Sequence, residues 1–225
     1  MSRRKKIAIW TVASVSALVV LIAWFIYRAA QQVPTFYEQA IAAPLDIQKA
    51  RGDELERRAL ELHNRTRHSG RWEMEITAAQ INGWLAVDLP KKFPGLLPPE
   101  VEAPRVAIKP NQVLFACRYV GPHLSTVITL TVEVSLTDQP NEVAFHLVRA
   151  RAGLLPLPLK QVIDQFQSVA FQTGLSLRWA QRSGDPIALL TIVPQHADKQ
   201  HRRLILETLH LTNGQLIIAG RTERN

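Results

Sequence analysis

A single cysteine, Cys117, is the whole thiol content of this 225-residue chain. That excludes an intrachain disulfide framework and any cysteine-rich zinc site. No acidic residue precedes position 28, although the chain carries 19 of them. Ten glycines and fourteen prolines follow no period, which excludes a collagen-like structure. Also missing are a G-x-S-x-G elbow, a phosphate-cradling glycine loop and a dinucleotide fingerprint. His63 and His68 stand five apart, as do His196 and His201, whereas a helical metal pair needs i, i+4. Glu207 and His210 fall in an alternating pattern, where i and i+3 point to opposite faces of a strand. Glu73 and Glu75 share a strand face without a third group, so solvated residues account for them. These absences predict a non-enzymatic protein with no cofactor and no metal.

Apolar residues make up 47% of the chain, too many for a mainly disordered one, and the length suits one domain beside an anchor. The net charge of +8 is unevenly placed. Arg3, Arg4, Lys5 and Lys6 supply half of it, and from Arg28 onward 23 basic residues face 19 acidic ones. The run Ile7–Tyr27 has no charge and only three polar residues, Thr11, Ser14 and Ser16. As a helix its 21 residues would extend roughly 31 Å, the thickness of a hydrocarbon core. Trp10 near one end, with Trp24 and Tyr27 near the other, fits interfacial aromatic belts. Residues 1–6 read as a basic cytoplasmic tail and 7–27 as a transmembrane signal anchor. The four early basic residues orient the N-terminus to the cytoplasm and the following domain outside it. A cleaved signal is the competing reading, but the small-residue site Ala40-Ile41-Ala42 lies 13 residues beyond Tyr27. A single-pass membrane address and a modest ectodomain charge argue against nucleic acid as partner.

Residues 28–44 read as a juxtamembrane linker and 45–225 as an extracytoplasmic α+β domain. Leu55, Ala59 and Leu62 predict a helix from Leu45 to about His68, with Gly52 weakening its start and Asp53 available as N-cap. Trp72, Met74 and Ile76 alternate as a strand. Thr77 and Gln80 have capping-box spacing and open a helix that should stop before Pro90. Five prolines predict an extended loop from Leu89 to Pro104. Alternating segments then follow: Val106–Ile108, Val113–Tyr119, Ile128–Leu136 and Val143–Leu147. Within the second, Cys117 shares a face with Phe115 and Tyr119, as an inert core thiol would. Leu159, Val162, Ile163, Phe166 and Ala170 form the stripe of an amphipathic helix that Gly174 ends. Leu175–Ala180 and Ile187–Val193 form a strand pair. Asn213-Gly214 predicts a type I′ hairpin between Leu204–Leu211 and Gln215–Gly220. The expected fold is one antiparallel sheet of about seven or eight strands, wet on one face and packed on two or three helices.

An anchor, a strand leading into Ile76-Thr77-Ala78-Ala79-Gln80-Ile81-Asn82, alternating strands and Gly153-Leu154-Leu155-Pro156-Leu157-Pro158 before a helix resemble the YpmS-like single-span bacterial envelope proteins. More distantly, residues 70–220 resemble the tubular lipid-binding (TULIP) type. That resemblance implies a curved sheet around a helix, with an apolar groove that accepts lipid chains.

Two readings from different classes follow. In the first, the domain binds a lipid or another apolar ligand in a groove lined by Ile128, Leu130, Val132, Phe145, Leu147, Ile163 and Phe166. Phe93, Leu96 and Leu97 would form its membrane-facing lip, and each acyl methylene buried would contribute about 0.8 kcal/mol. In the second, the domain is a structural or partner-binding element of an envelope assembly with a dry, filled core.

Overall fold

The structure, a computed structural model, describes residues 3–122, 124–160, 162–164, 177–182, 185–192 and 202–224. Side-chain surroundings along the first helix are described from Ser14 onward. The first half of the chain forms α1 (Arg3–Ala30), α2 (Thr35–Ala42), α3 (Leu45–Thr66), β1 (Gly70–Thr77) and α4 (Ala78–Lys92). The second half is β-rich: β2 (Val101–Lys109), β3 (Gln112–Val120), β4 (Ser125–Leu136), β5 (Glu142–Ala152) and β6 (Leu155–Pro156). It closes with β7 (Leu177–Arg182), β8 (Asp185–Thr191), β9 (Arg202–Leu211) and β10 (Gln215–Arg224).

The fold is α+β, and its strands form two antiparallel sheets where one was expected. Seven strands run β2-β3-β4-β5-β8-β7, with β6 also paired to β5, and three run β1-β10-β9. The split follows from β1: it pairs with the last strand, Trp72 opposite Gly220, and so never joins the meander. Trp72, Val143 and Leu206 form a buried cluster joining the sheets, with Val134, Leu136 and Phe145 packed against it. Asn141 stitches the same seam, donating to the Leu204 carbonyl at 2.6 Å and accepting the Leu206 N–H at 2.7 Å.

Local signals in the sequence translate directly. Thr77 caps α4, accepting the Gln80 N–H, while the Gln80 side chain accepts the Thr77 N–H at 2.8 Å. Other expectations are narrowed or corrected. Helix α3 does begin at Leu45, and the alternative start at Asp53 is set aside because Gly52 is a packing contact and not a break. A Cβ there would lie 2.7 Å from Asp88 Oδ2, and one at Gly83 would lie 2.2 Å from the Gln48 carbonyl. The two glycines let the helix backbones approach closely. Helix α4 passes Pro90 and ends at Lys92, since the proline sits in the last turn and Phe93 N–H still reaches the Leu89 carbonyl at 2.9 Å. In the Asn213-Gly214 turn only Gly214 has positive φ, +82°, so the turn is not type I′, which needs positive φ at both residues.

Residues 28–44, read as a linker, carry the end of α1 and all of α2. Tyr37 of α2 is 1% exposed against Ala116 and Val127. The sheet face opposite Ile128 and Leu130 is therefore covered at this end, not wet. A helical turn is present at residues 162–164; Phe166, Ala170 and Gly174 lie outside the described residues.

Helix α1 exposes apolar side chains around its whole circumference, from Val15 at 61% to Phe25 at 63% and Tyr27 at 57%. Among the described residues no single helix is long and apolar enough to cross a membrane; Ser14–Ala30 and Thr35–Ala42, bent by 49°, meet that test only together. The domain grips the end of α1 directly. Leu154 N–H donates to the Ala29 carbonyl at 2.9 Å, and Thr126 Oγ1 to the Ala30 carbonyl at 2.6 Å. Gln31 Nε2 donates to the Ser125 carbonyl at 2.9 Å. The first two satisfy helix-terminal carbonyls that otherwise need water, and the third ties the residue after the helix to the start of β4.

Candidate functional site

Hydrogen bonds run from the end of α1 across the sheet to the proline-rich loop. Gln31 holds Ser125, Ser125 pairs with Val120, and Val120 N–H donates to the Glu100 carbonyl at 2.8 Å. Adjacent strands lie about 4.8 Å apart, so the loop stands two strands, roughly 10 Å, from the helix junction. It occupies the same end of the sheet as α1.

There the loop, the end of α4 and the start of β2 enclose an apolar recess of about 600 Å³. Leu85 and Leu89 of α4 form one wall, Phe93 and Leu97 of the loop a second, and Val101–Arg105 a third. Phe93 is half exposed and its ring lies 6.0 Å from that of Trp84. Leu96 and Leu97 are half-buried, and Leu97 lines the recess. Asn82 fixes the α4 wall to β2, accepting the Val106 N–H at 2.7 Å and donating to its carbonyl at 2.9 Å. Glu56 and Asp88 both pair with Lys92, and Trp84 Nε1 donates to Glu56 at 2.9 Å, tying the end of α4 to α3.

The β2 wall is irregular. The register with β3 shifts between Glu102 and Arg105, and Ala103 adopts φ +46°. Its carbonyl accepts the Tyr37 hydroxyl at 3.1 Å. Arg105 lines the recess and is 6% exposed. It donates to the Pro104 carbonyl at 2.8 Å, and at 3.4 Å to the Ala40 carbonyl and to Gln48 Oε1. All three acceptors are neutral. Desolvation lowers its pKa from the ordinary value, although a guanidinium remains charged.

The expected groove residues are gathered in part. Ile128, Leu130 and Val132 share one face of β4, and Phe145 and Leu147 of β5 join it through the pairs Val134–Phe145 and Val132–Leu147. Ile163 is buried. Phe145, however, packs into the cluster between the sheets, and none of these residues lines the 600 Å³ recess. A second recess, about 280 Å³ between α3 and β1, is lined mainly by charged side chains including Arg57, Arg65, Glu73 and Glu75. Arg3, Arg4, Lys5 and Lys6 fall in the first two turns of α1. Burial raises the Cys117 thiol to about 11, so little thiolate forms near neutrality.

Two residues escaped sequence reasoning. Arg105 has a faint signal, a charge directly before the apolar alternation Val106–Ile108. Gly153 was read only as the start of the Gly153–Pro158 turn, with no sign of a contact to α1. Its φ is +57°, and a Cβ there would meet the Ala29 carbonyl at 2.4 Å, which makes it the contact point for α1. A comparison with known protein families and with curated proteins finds no match for this chain.

Proposed function

We propose that the chain is a membrane-anchored module, its domain outside the cytoplasm, that binds a lipid or other apolar ligand between helix and sheet. One observation carries this reading: an apolar recess opens at the end of the sheet where an all-round apolar helix joins the domain. A helix apolar on every face has no stable surface in water and suits a bilayer. The recess volume falls within the roughly 300–1,000 Å³ of pockets that hold small molecules. Relative to the groove expected from the sequence, the binding place moves from the β4–β5 face to the α4–β2 gap. There, Phe93 and Leu97 of the loop form one wall.

A photoreactive benzoylphenylalanine at Leu85, on the inner wall, tests this in the full chain within native membranes. Irradiation should yield lipid adducts at position 85. Adducts made only to another protein would overturn the lipid reading and favour a partner-binding element of the envelope.

A further inference from the structure

We infer that the recess takes an amphiphile with an anionic head, an acyl chain ending in a carboxylate or phosphate that Arg105 receives. The inference rests on the proposed binding role of the recess and adds the class of ligand. A buried charge is retained only where something compensates it, because desolvating an ion costs several kcal/mol. For Arg105 the compensation in the described structure is incomplete. Its acceptors are two backbone carbonyls and an amide oxygen, and two of the three contacts are at 3.4 Å. A guanidinium has five N–H donors, so two remain after these bonds are made. Glu102, the only carboxylate among the described residues of the lining, is exposed and does not act on Arg105. An oxyanion brought in by a ligand would supply both the missing charge and the missing acceptors. Arginine is suited to that task, since its planar fork matches carboxylate and phosphate oxygens.

The rest of the wall favours an apolar tail. Leu85, Leu89, Phe93 and Leu97 offer no polar side-chain atom, so they discriminate against a free inorganic ion. The ligand's two parts are therefore recognised separately: chain by loop and helix, head by β2. Ala103, with its φ of +46°, turns the strand at this point, and its carbonyl is held by Tyr37. That bend sets the position of Arg105 two residues later.

The test uses the full chain in phosphatidylcholine nanodiscs with a clickable photoreactive fatty acid, its adducts mapped to residues 85–105. Unlabelled oleate, lysophosphatidate and monoolein compete in separate arms. Oleate or lysophosphatidate should displace the probe roughly 10- to 100-fold better than monoolein, the range of a hydrogen bond to a charged group. Whichever of the two anions competes more strongly identifies the head as carboxylate or phosphate. Arg105→Gln should abolish the preference while monoolein still competes, and Arg105→Lys should restore part of it. Equal competition by all three ligands in the unmodified chain overturns the anionic head but leaves an apolar site standing. No adduct in 85–105 overturns the site itself. The comparison among ligands needs no variant, so it holds even if Arg105→Gln fails to fold.

Discussion

At the scale of single residues, several side chains hold positions that no neighbouring residue type could fill. Gly153 is the sharpest case, with φ +57° and the Ala29 carbonyl 2.4 Å from where a Cβ would sit. Gly153→Ala should cost at least about 1–2 kcal/mol from the left-handed backbone alone. Hydrogen exchange would show it locally, as faster exchange of the Leu154 amide that donates to Ala29. Cys117 makes an opposite kind of prediction. Its thiol pKa near 11, against 9.0 for the free side chain, leaves about 100-fold less thiolate at pH 8. Labelling by iodoacetamide should be slower by about that factor in the folded chain and should recover in denaturant. The sequence placed Cys117 on an apolar strand face, which is legible from alternation. Gly153 was not legible, because a turn glycine reads the same whether or not another backbone crosses it.

At the scale of elements, the helix pair α3–α4 and its attachment to β2 determine whether the recess exists. Gly52 and Gly83 bring the helices together, and a Cβ at Gly83 would come within 2.7 Å of the Gly52 nitrogen. Gly83→Ala should therefore destabilise the domain by about 1–3 kcal/mol through overpacking, visible as a lowered melting temperature. Asn82→Ala removes both bonds to Val106 and should cost a similar amount, about 1–3 kcal/mol, by leaving the buried strand N–H and carbonyl without their partner. The strand segments and the capped start of α4 were readable, because alternation and the Thr77/Gln80 spacing are local signals. Partner choice was not. Pairing of β1 with β10 joins segments more than 130 residues apart, and nothing local in Trp72–Ile76 distinguishes that from a place in the meander. Helix α2 was hidden for a related reason: its eight residues are stabilised by burying Tyr37 rather than by a periodic stripe.

At the scale of the whole molecule, acid stability should depend on a few carboxylates. Glu142 is held below its ordinary value of 4.5 by the hydrogen bond from Arg178, and Glu56 by that from Lys92. A depressed carboxylate stabilises the fold fully above its unfolded pKa and loses that contribution as pH falls through its folded one. The melting temperature of the full chain should therefore hold between pH 7 and 5 and drop below about 4.5. A melt that stays flat to pH 3 would show that these pairs contribute nothing. The proposed lipid-binding role makes a complementary prediction for the loop. A bimane label at Leu97→Cys, in a Cys117→Ser background, should be quenched by nitroxide lipids carrying the label near the headgroup. Whether the recess binds at all was beyond the sequence, since its walls come from α4, a proline-rich loop and a strand bulge that share no pattern.

The grip of the domain on Ala29 and Ala30 has a mechanical consequence. A helix end held by two hydrogen bonds, with a third from Gln31 just beyond it, is restrained against the domain, so the two would tend to lean together. In a bilayer, thickness sets the lean of an apolar helix. Through that restraint, a thinner or thicker membrane would then raise or lower the mouth of the recess relative to the lipid surface. Access to the site would become a reading of the membrane itself.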